Sequence, residues 1–419
     1  MKRELEWELE RNIRRIGHLD IDGGGQVVVQ DGYAYIGHMD PPMGTSVIDV
    51  TDPKHPTVVS HITPPDEWSH THKVRVVGDI MITNVEQAKR HFLRKGDKIA
   101  GLRAEGLDDD AIANILGVKP SDISILDDAQ ARGYNDGGFR VWDISDKTAP
   151  KLLSYVRTHG FGVHRFDMDE NYAYISTEME GYIGNILVIY DLADPSNPTE
   201  VSRWHMPGQH LAGGETPTWT GYGVRLHHAM RCGDELWAAV WNAGFRVLDA
   251  SDITNPTVTG SYRFPEAIPE PTHTVMPLEH TIDGKRFAIA IDEEHSHQPG
   301  RLHGFIWVMD VTDLNNMEPI AAWDLSERAC PWVGDPGARF GGHQFREKLD
   351  CTLIYATWFA GGLRVLDVAD PYHPQEVAHY MVPGPDGTPP QSNDVDVDDA
   401  GLIYLLDRNH GLEILEMTL

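Results

Sequence analysis

Five strings in the chain, SHTHKV (69–74), GVHRF (162–166), RLHHAM (225–230), PTHTVM (271–276) and GGHQF (341–345), set a histidine just ahead of an apolar run. Aligned on the apolar strands that follow, His72, His164, His228, His273 and His343 fall at matched positions. Neutral imidazole is the commonest metal ligand among side chains, and matched positions on a ring converge on one axis. The pattern therefore predicts one metal ion held by at least three of the five. An all-histidine set suits iron, copper or zinc better than calcium or magnesium. His227, beside His228, and His70, two before His72, are rival or supporting partners. A single such histidine would read as a channel residue bonded to backbone or water; five at one position favour the metal.

Loops on the same face carry the other candidates: EMEGY (178–182), WNAG (241–244), DEEHSHQPGRLHG (292–304), WFAGG (358–362) and DRNHG (407–411). Glu178, Glu294 and His297 are the expected acid–base residues, with Glu293 and His295 as neighbours that could orient a ligand. Trp241, Trp358, Phe359 and Arg408 are the expected substrate contacts. These residues point to a small aromatic or apolar organic substrate.

The positioning elements come from a repeat. GTSVIDVTDP (44–53), GGFRVWDISD (137–146), NILVIYDLADP (185–195), GFRVLDASD (244–252), GFIWVMDVTD (304–313) and GGLRVLDVADP (361–371) are six copies of one phrase, and GLEILE (411–416) is a degenerate seventh. Each follows a second apolar strand and precedes a Pro-marked turn and a fourth strand. Four-stranded units repeated in this way predict an all-β, seven-bladed β-propeller, with residues 1–419 as one domain. The last copy lacks a fourth strand, and RRIGHLDID (14–22) is expected to supply it, leaving no free edge. The phrase's aspartates recur every 48 to 61 residues, except for a gap of 94 between Asp49 and Asp143. That gap predicts a helical insertion, residues 85–136, in blade two, acting as a lid or a dimer contact. The aspartates themselves read as turn caps rather than catalysts, since a motif in every blade is scaffold.

Composition narrows the partners. The net charge of −29 argues against nucleic acid and anionic membrane. Cys232, Cys330 and Cys351 form no CxxC pair, and no window resembles a membrane span. The first twenty residues are charged and lack an apolar core, so the expected location is cytoplasmic. A small-molecule substrate is expected, and a homo-oligomer is compatible with the insertion. No GxGxxG after a strand, GxxxxGK[ST], GxSxG or HExxH motif occurs.

GGLRVLDVADP resembles the LVIVD-repeat propeller family, across nearly the whole chain outside the insertion. TWFAGGLRVLDVADP (357–371) also looks like a phrase of selenium-binding proteins, which include methanethiol oxidases. That resemblance implies histidine-linked metal chemistry on a propeller, although the cysteine-rich segment of that family is missing. The layout is similar in plan to carotenoid-cleaving oxygenases, whose iron is held by four histidines. Together these readings predict a metal-dependent propeller enzyme, an oxidoreductase or oxygenase. The alternatives are a metal-dependent lyase or hydrolase on the same site, and a non-catalytic protein-binding propeller.

Overall fold

The computed structural model describes residues 8–418, apart from 222, 296–297, 383 and 385–386. The described strands form successive four-stranded antiparallel units, each running through strands one to four in chain order. The first holds Gly24–Gln30, Tyr33–His38, Thr45–Asp49 and Thr57–Ile62. The second holds Val74–Val77, Ile80–Gln87, Gly138–Asp143 and Lys151–Arg157. The third to sixth begin at His159–Met168, His228–Cys232, Thr272–Pro277 and Phe340–Phe345. The last contains Ser392–Val397, Ile403–Asp407 and Gly411–Met417.

The fourth strand of that last unit is Ile13–Leu19, which pairs with Gly411–Met417 from Ile13 opposite Met417 to Leu19 opposite Leu412. Glu10–Arg11 pairs instead with Gln375–Tyr380, the outer strand of the unit before. One N-terminal segment thus straps two units together and covers two sheet edges.

Second strands such as Tyr172–Glu178 are almost wholly buried because both their faces meet neighbouring sheets. Fourth strands such as Thr199–Trp204 are largely solvent-facing. Apolar clusters lie between consecutive units: Tyr35 and Val47 against Val74, Phe139 against Phe166, Leu187 against Leu236, and Trp237 against Phe287 and Phe340. Leu363 against Leu405, and Leu406 against Ile36, bring the series back to its start. The core is therefore a ring of inter-sheet seams, an all-β propeller-like fold.

The repeated aspartates cap turns, as expected. Asp49, Asp143, Asp191, Asp249, Asp310 and Asp367 each accept the amide two residues on, at 2.7–3.0 Å. Helices interrupt the second unit at Arg90–Leu93, Ile99–Ala104, Asp109–Leu116 and Asp122–Arg132. Asp108 caps Asp109–Leu116 by accepting from the Ala111 amide, and Gly117 ends it at φ 61°. Ile99, Ile112, Leu116, Ile123 and Leu126 give these helices a small core of their own. The expected start at residue 85 is corrected, because the second strand continues to Gln87. No helix among the described residues is long and apolar enough to cross a membrane.

Candidate metal centre

Strand register decides which side chains reach the axis. We count each second strand from the residue paired with, or aligned to, the motif aspartate. The first-strand residues opposite its fifth position are Gln26, Lys73, Arg165, His228, Thr274, Gln344 and Asp394. The residues immediately before them are Gly25, His72, His164, His227, His273, His343 and Asn393. In the first, third, fifth, sixth and seventh units this preceding residue lies within a register shift. A bulge re-aims its side chain out of the pleat. His227, not the expected His228, is therefore in step with the other four histidines. Gly25 carries no side chain because a Cβ there would meet the His72 carbonyl oxygen at 2.5 Å.

Neighbouring rings follow one another around the axis. Ring centroids are 5.4 Å apart for His72 and His164, 4.9 Å for His164 and His227, 4.1 Å for His227 and His273, and 4.6 Å for His273 and His343. Their outer nitrogens are engaged. Nδ1 of His227 donates to the His273 carbonyl at 2.8 Å, and Nδ1 of His343 donates to the Asn393 carbonyl at 2.5 Å. Thr274 donates its own proton to Gln344 at 2.6 Å, so it accepts from His273 Nδ1 at 2.8 Å. Each of these three rings must then present an Nε2 lone pair inward. His164 Nδ1 lies 3.2 Å from Glu86 Oε2, which leaves its Nε2 facing His227 Nε2 at 3.1 Å. Two neutral rings cannot leave facing lone pairs bare, and 3.1 Å suits two cis ligands at about 2.0–2.1 Å from one ion.

His72 behaves differently. The Lys73 amide donates to Asn84 Oδ1, which fixes the amide orientation, and Asn84 Nδ2 then donates to His72 Nδ1 at 3.1 Å. The His72 proton must sit on Nε2, 3.9 Å from Glu86. In this arrangement His72 turns a proton rather than a lone pair inward, although it lies in a possible metal-holding group with His70 and Glu86.

Two carboxylates lie beside the histidines, where an all-histidine, carboxylate-poor set is expected. Glu86 Oε2 lies 3.0 Å from His70 Nε2, and Glu86 with His70 and His72 forms one compact donor group. Glu293 forms another with His227 and His273, and lies 4.0 Å from His343 Nε2. Both glutamates occupy the seventh position of a second strand by the same count. That position reads Met39, Glu86, Glu178, Trp241, Glu293, Phe359 and Arg408 around the ring. The repeat alone could have singled it out.

The remaining candidates separate. Trp241 and Arg408 line a cavity of 560 Å³ over the histidines, with Lys89, Arg90 and His91 of the insertion on its wall. Trp241 is 5.2 Å from His227 and 5.0 Å from His295 between ring centroids. Phe359 stacks on His343 at 4.7 Å and so supports a ligand rather than lining the cavity. Trp358 is corrected to a core residue, fully buried against Trp323. Glu178 is taken by Arg94 and the Phe161 amide, and Glu294 by the Gly304 amide and His303, so neither faces the cavity. His297 lies outside the described residues.

Electrostatics favour neutral rings and a charged carboxylate. Burial pushes His164, His227, His273 and His343 well below the ordinary histidine value. Burial opposes charge on Glu293, but His295 and Arg339 outweigh it and hold the carboxyl well below its usual range. Arg339 donates to Glu293 at 2.8 Å.

The comparisons agree on architecture. Residues 24–63, 133–158, 167–205, 233–263 and 354–382 match the LVIVD repeat. A periplasmic gluconolactonase of Pseudomonas aeruginosa, PpgL, superposes with a TM-score of 0.58 at 10% identity, over 90% of this chain and 89% of that one. The C-terminal WD40 domain of Sif2 gives 0.54 at 10% identity, over 96% and 98%. Raptor of Chaetomium thermophilum gives 0.58 at 10% identity, over 99% of this chain and 29% of that one. At such identities the likeness is one of fold alone. No curated protein matches in sequence. The chain therefore carries LVIVD repeats on an all-β, propeller-like fold.

Proposed function

We propose that this protein is a metal-dependent enzyme, an oxidoreductase that acts on a small organic molecule at the centre of a seven-bladed ring. A single transition-metal ion, iron, copper or zinc, would be held by Nε2 of His164, His227 and His273, with His343 and Glu293 completing the donor set. The observation that carries this reading is the 3.1 Å approach of His164 Nε2 to His227 Nε2 beside two more rings whose Nδ1 protons are fixed outward. Histidines with a carboxylate suit a redox-capable ion with open positions. When bound, such an ion polarises a substrate oxygen or exchanges electrons. A carboxylate held anionic, like Glu293, serves better as a ligand than as a base. The 560 Å³ cavity beside the cluster favours an enzyme over a scaffold that only binds proteins.

The insertion acts as a lid in this reading. Arg90 reaches Glu86 at 2.5 Å, and Arg94 pairs with Glu178, so the segment is latched to two second strands at the rim. The described cysteines are all thiols, which fits a reducing, cytoplasmic setting.

A lyase or hydrolase is the second reading. It is favoured by Glu86, which touches His70 and His164 and could relay a proton beside the ion. Native protein purified without affinity-tag metal, assayed for metal content and for oxygen uptake against a panel of small aromatic and aliphatic acids, alcohols and thiols, separates the two. Bound iron or copper with substrate-dependent oxygen uptake supports the oxidoreductase. Zinc with turnover and no oxygen uptake moves the lyase or hydrolase to first place.

A further inference from the structure

The cavity carries a charge pattern opposite to that of the chain. The protein has 35 lysines and arginines against 64 acidic residues. Around the cavity, Arg90, Arg225, Arg339 and Arg408 face Asp40, Glu86 and Glu293. The two glutamates are already engaged, Glu86 by Arg90 at 2.5 Å and Glu293 by Arg339 at 2.8 Å. Arg408 stands apart from these pairs. Its Nε donates to the neutral Asn393 Oδ1 at 2.7 Å, and no carboxylate oxygen lies within 4.0 Å of it among the described residues. Its two terminal nitrogens hold no hydrogen bond among the described residues and neither is a buried orphan; the residue lines both this cavity and the adjoining one bounded by Asp40 and Gln391.

The position of Arg408 is built rather than incidental. It sits at the seventh second-strand position, in the last unit, across the ring from the third and fourth units that bear His164 and His227. Asn393 orients it from the same layer as the histidines. Its guanidinium also lies 5.6 Å from the Phe359 ring centroid, with Arg339 4.0 Å from the same ring. Arg225 stacks on Trp241 at 4.3 Å on the opposite wall. The crowding of like charge has a cost: burial and the nearby Arg339 push Arg408 down to about 10. An entering anion would relieve that repulsion, and a planar guanidinium offers two parallel donors to a carboxylate or phosphate.

We propose that the substrate is a small organic anion, bound through a carboxylate or phosphate group on Arg408 with its reacting end toward the histidine cluster. The direction of that reacting end rests on the metal reading above; the anion site itself does not. Arg408 would thus set specificity, rejecting neutral analogues that leave its charge buried and unanswered.

Calorimetric titration of the native full-length protein with benzoate, its neutral isostere benzamide, and inorganic phosphate tests this. Benzoate or phosphate should bind at least about tenfold more tightly than benzamide, and the better of the two identifies the group. Arg408→Gln should remove that preference at unchanged metal content, and Arg408→Lys should retain part of it, because the charge remains and the fork is lost. Equal binding of benzoate and benzamide, or an anion affinity that Arg408→Gln leaves intact, overturns the proposal. A protein free of metal that still shows the Arg408-dependent preference overturns the metal reading and leaves the anion site standing. A metal-loaded protein without the preference does the reverse.

Discussion

His227 and His228 are consecutive residues with opposite surroundings. His227 belongs to a layer whose Nε2 atoms converge, His164 Nε2 lying 3.1 Å away and Glu293 beside His227 and His273. His228 belongs to the layer beneath, where most polar groups pair with each other, although His228 Nε2 and Arg165 Nη1 find no hydrogen-bond partner. Its Nδ1 accepts from Arg165 Nε at 3.1 Å. Arg165, Arg75 and Gln344 all converge on Glu347, and Thr274 donates to Gln344. In the proposed reading the upper layer is completed by a cation, whereas the lower one is held together by its own ion pairs around Glu347. In that reading, one residue of register separates a binding site from a brace.

Removing the centre of the brace should have the largest effect on stability. Glu347→Ala strands Arg165, which is 0% exposed, and leaves Arg75, 14% exposed, with Asp167 at 3.3 Å, and should cost about 3–5 kcal/mol in chemical denaturation. Metal content of the fraction that folds should be unchanged. A loss of metal with stability intact would show that the lower layer is the ligand layer.

Acid should strip both layers. The six buried rings, His228 included, have folded pKa values depressed by burial. For a depressed histidine the contribution is present above the unfolded value and lost as pH falls. Metal-free protein should therefore lose stability progressively below about pH 6.5, the free histidine value, in thermal melts. Added metal should raise the melting temperature above that pH and lose its effect below it. A metal-free melting temperature that rises on acidification would contradict the neutral-ring assignment.

Much of this was legible from the chain. The repeat phrase marks every third strand, and the missing last strand led correctly to the segment around residue 14. The histidine layer was legible as a layer, but not its register. Reading back from the second strand cannot count the extra residue that a bulge inserts, so His228 was taken where His227 belongs. Glu86 escapes the sequence reading, and Glu293 enters it only as a neighbour that could orient a ligand, for another reason. Each lies at the end of a strand whose neighbours are apolar, and its role emerges only when all seven second strands are placed in one frame. The His72 proton was beyond reach, since Asn84 meets it across a ladder that sequence spacing does not disclose. Trp358 shows the limit of composition: the loop that carries it turns the ring into the core.

The smallest expected effect sharpens the comparison within the upper layer itself. His72→Asn should leave metal affinity within about twofold, because its Nε2 bears a proton in this arrangement, whereas His273→Asn should weaken it at least about tenfold. Equal losses in the two variants would return His72 to the ligand set.

The most direct measurement is the metal stoichiometry of three proteins purified alike without affinity-tag metal: wild type, His227→Ala and His228→Ala. The wild type should carry about one ion per chain, His227→Ala should lose it while keeping its strand content, and His228→Ala should keep it at reduced stability. A metal-free wild type, or metal kept by His227→Ala and lost by His228→Ala, would contradict the assignment of the upper layer as the metal centre.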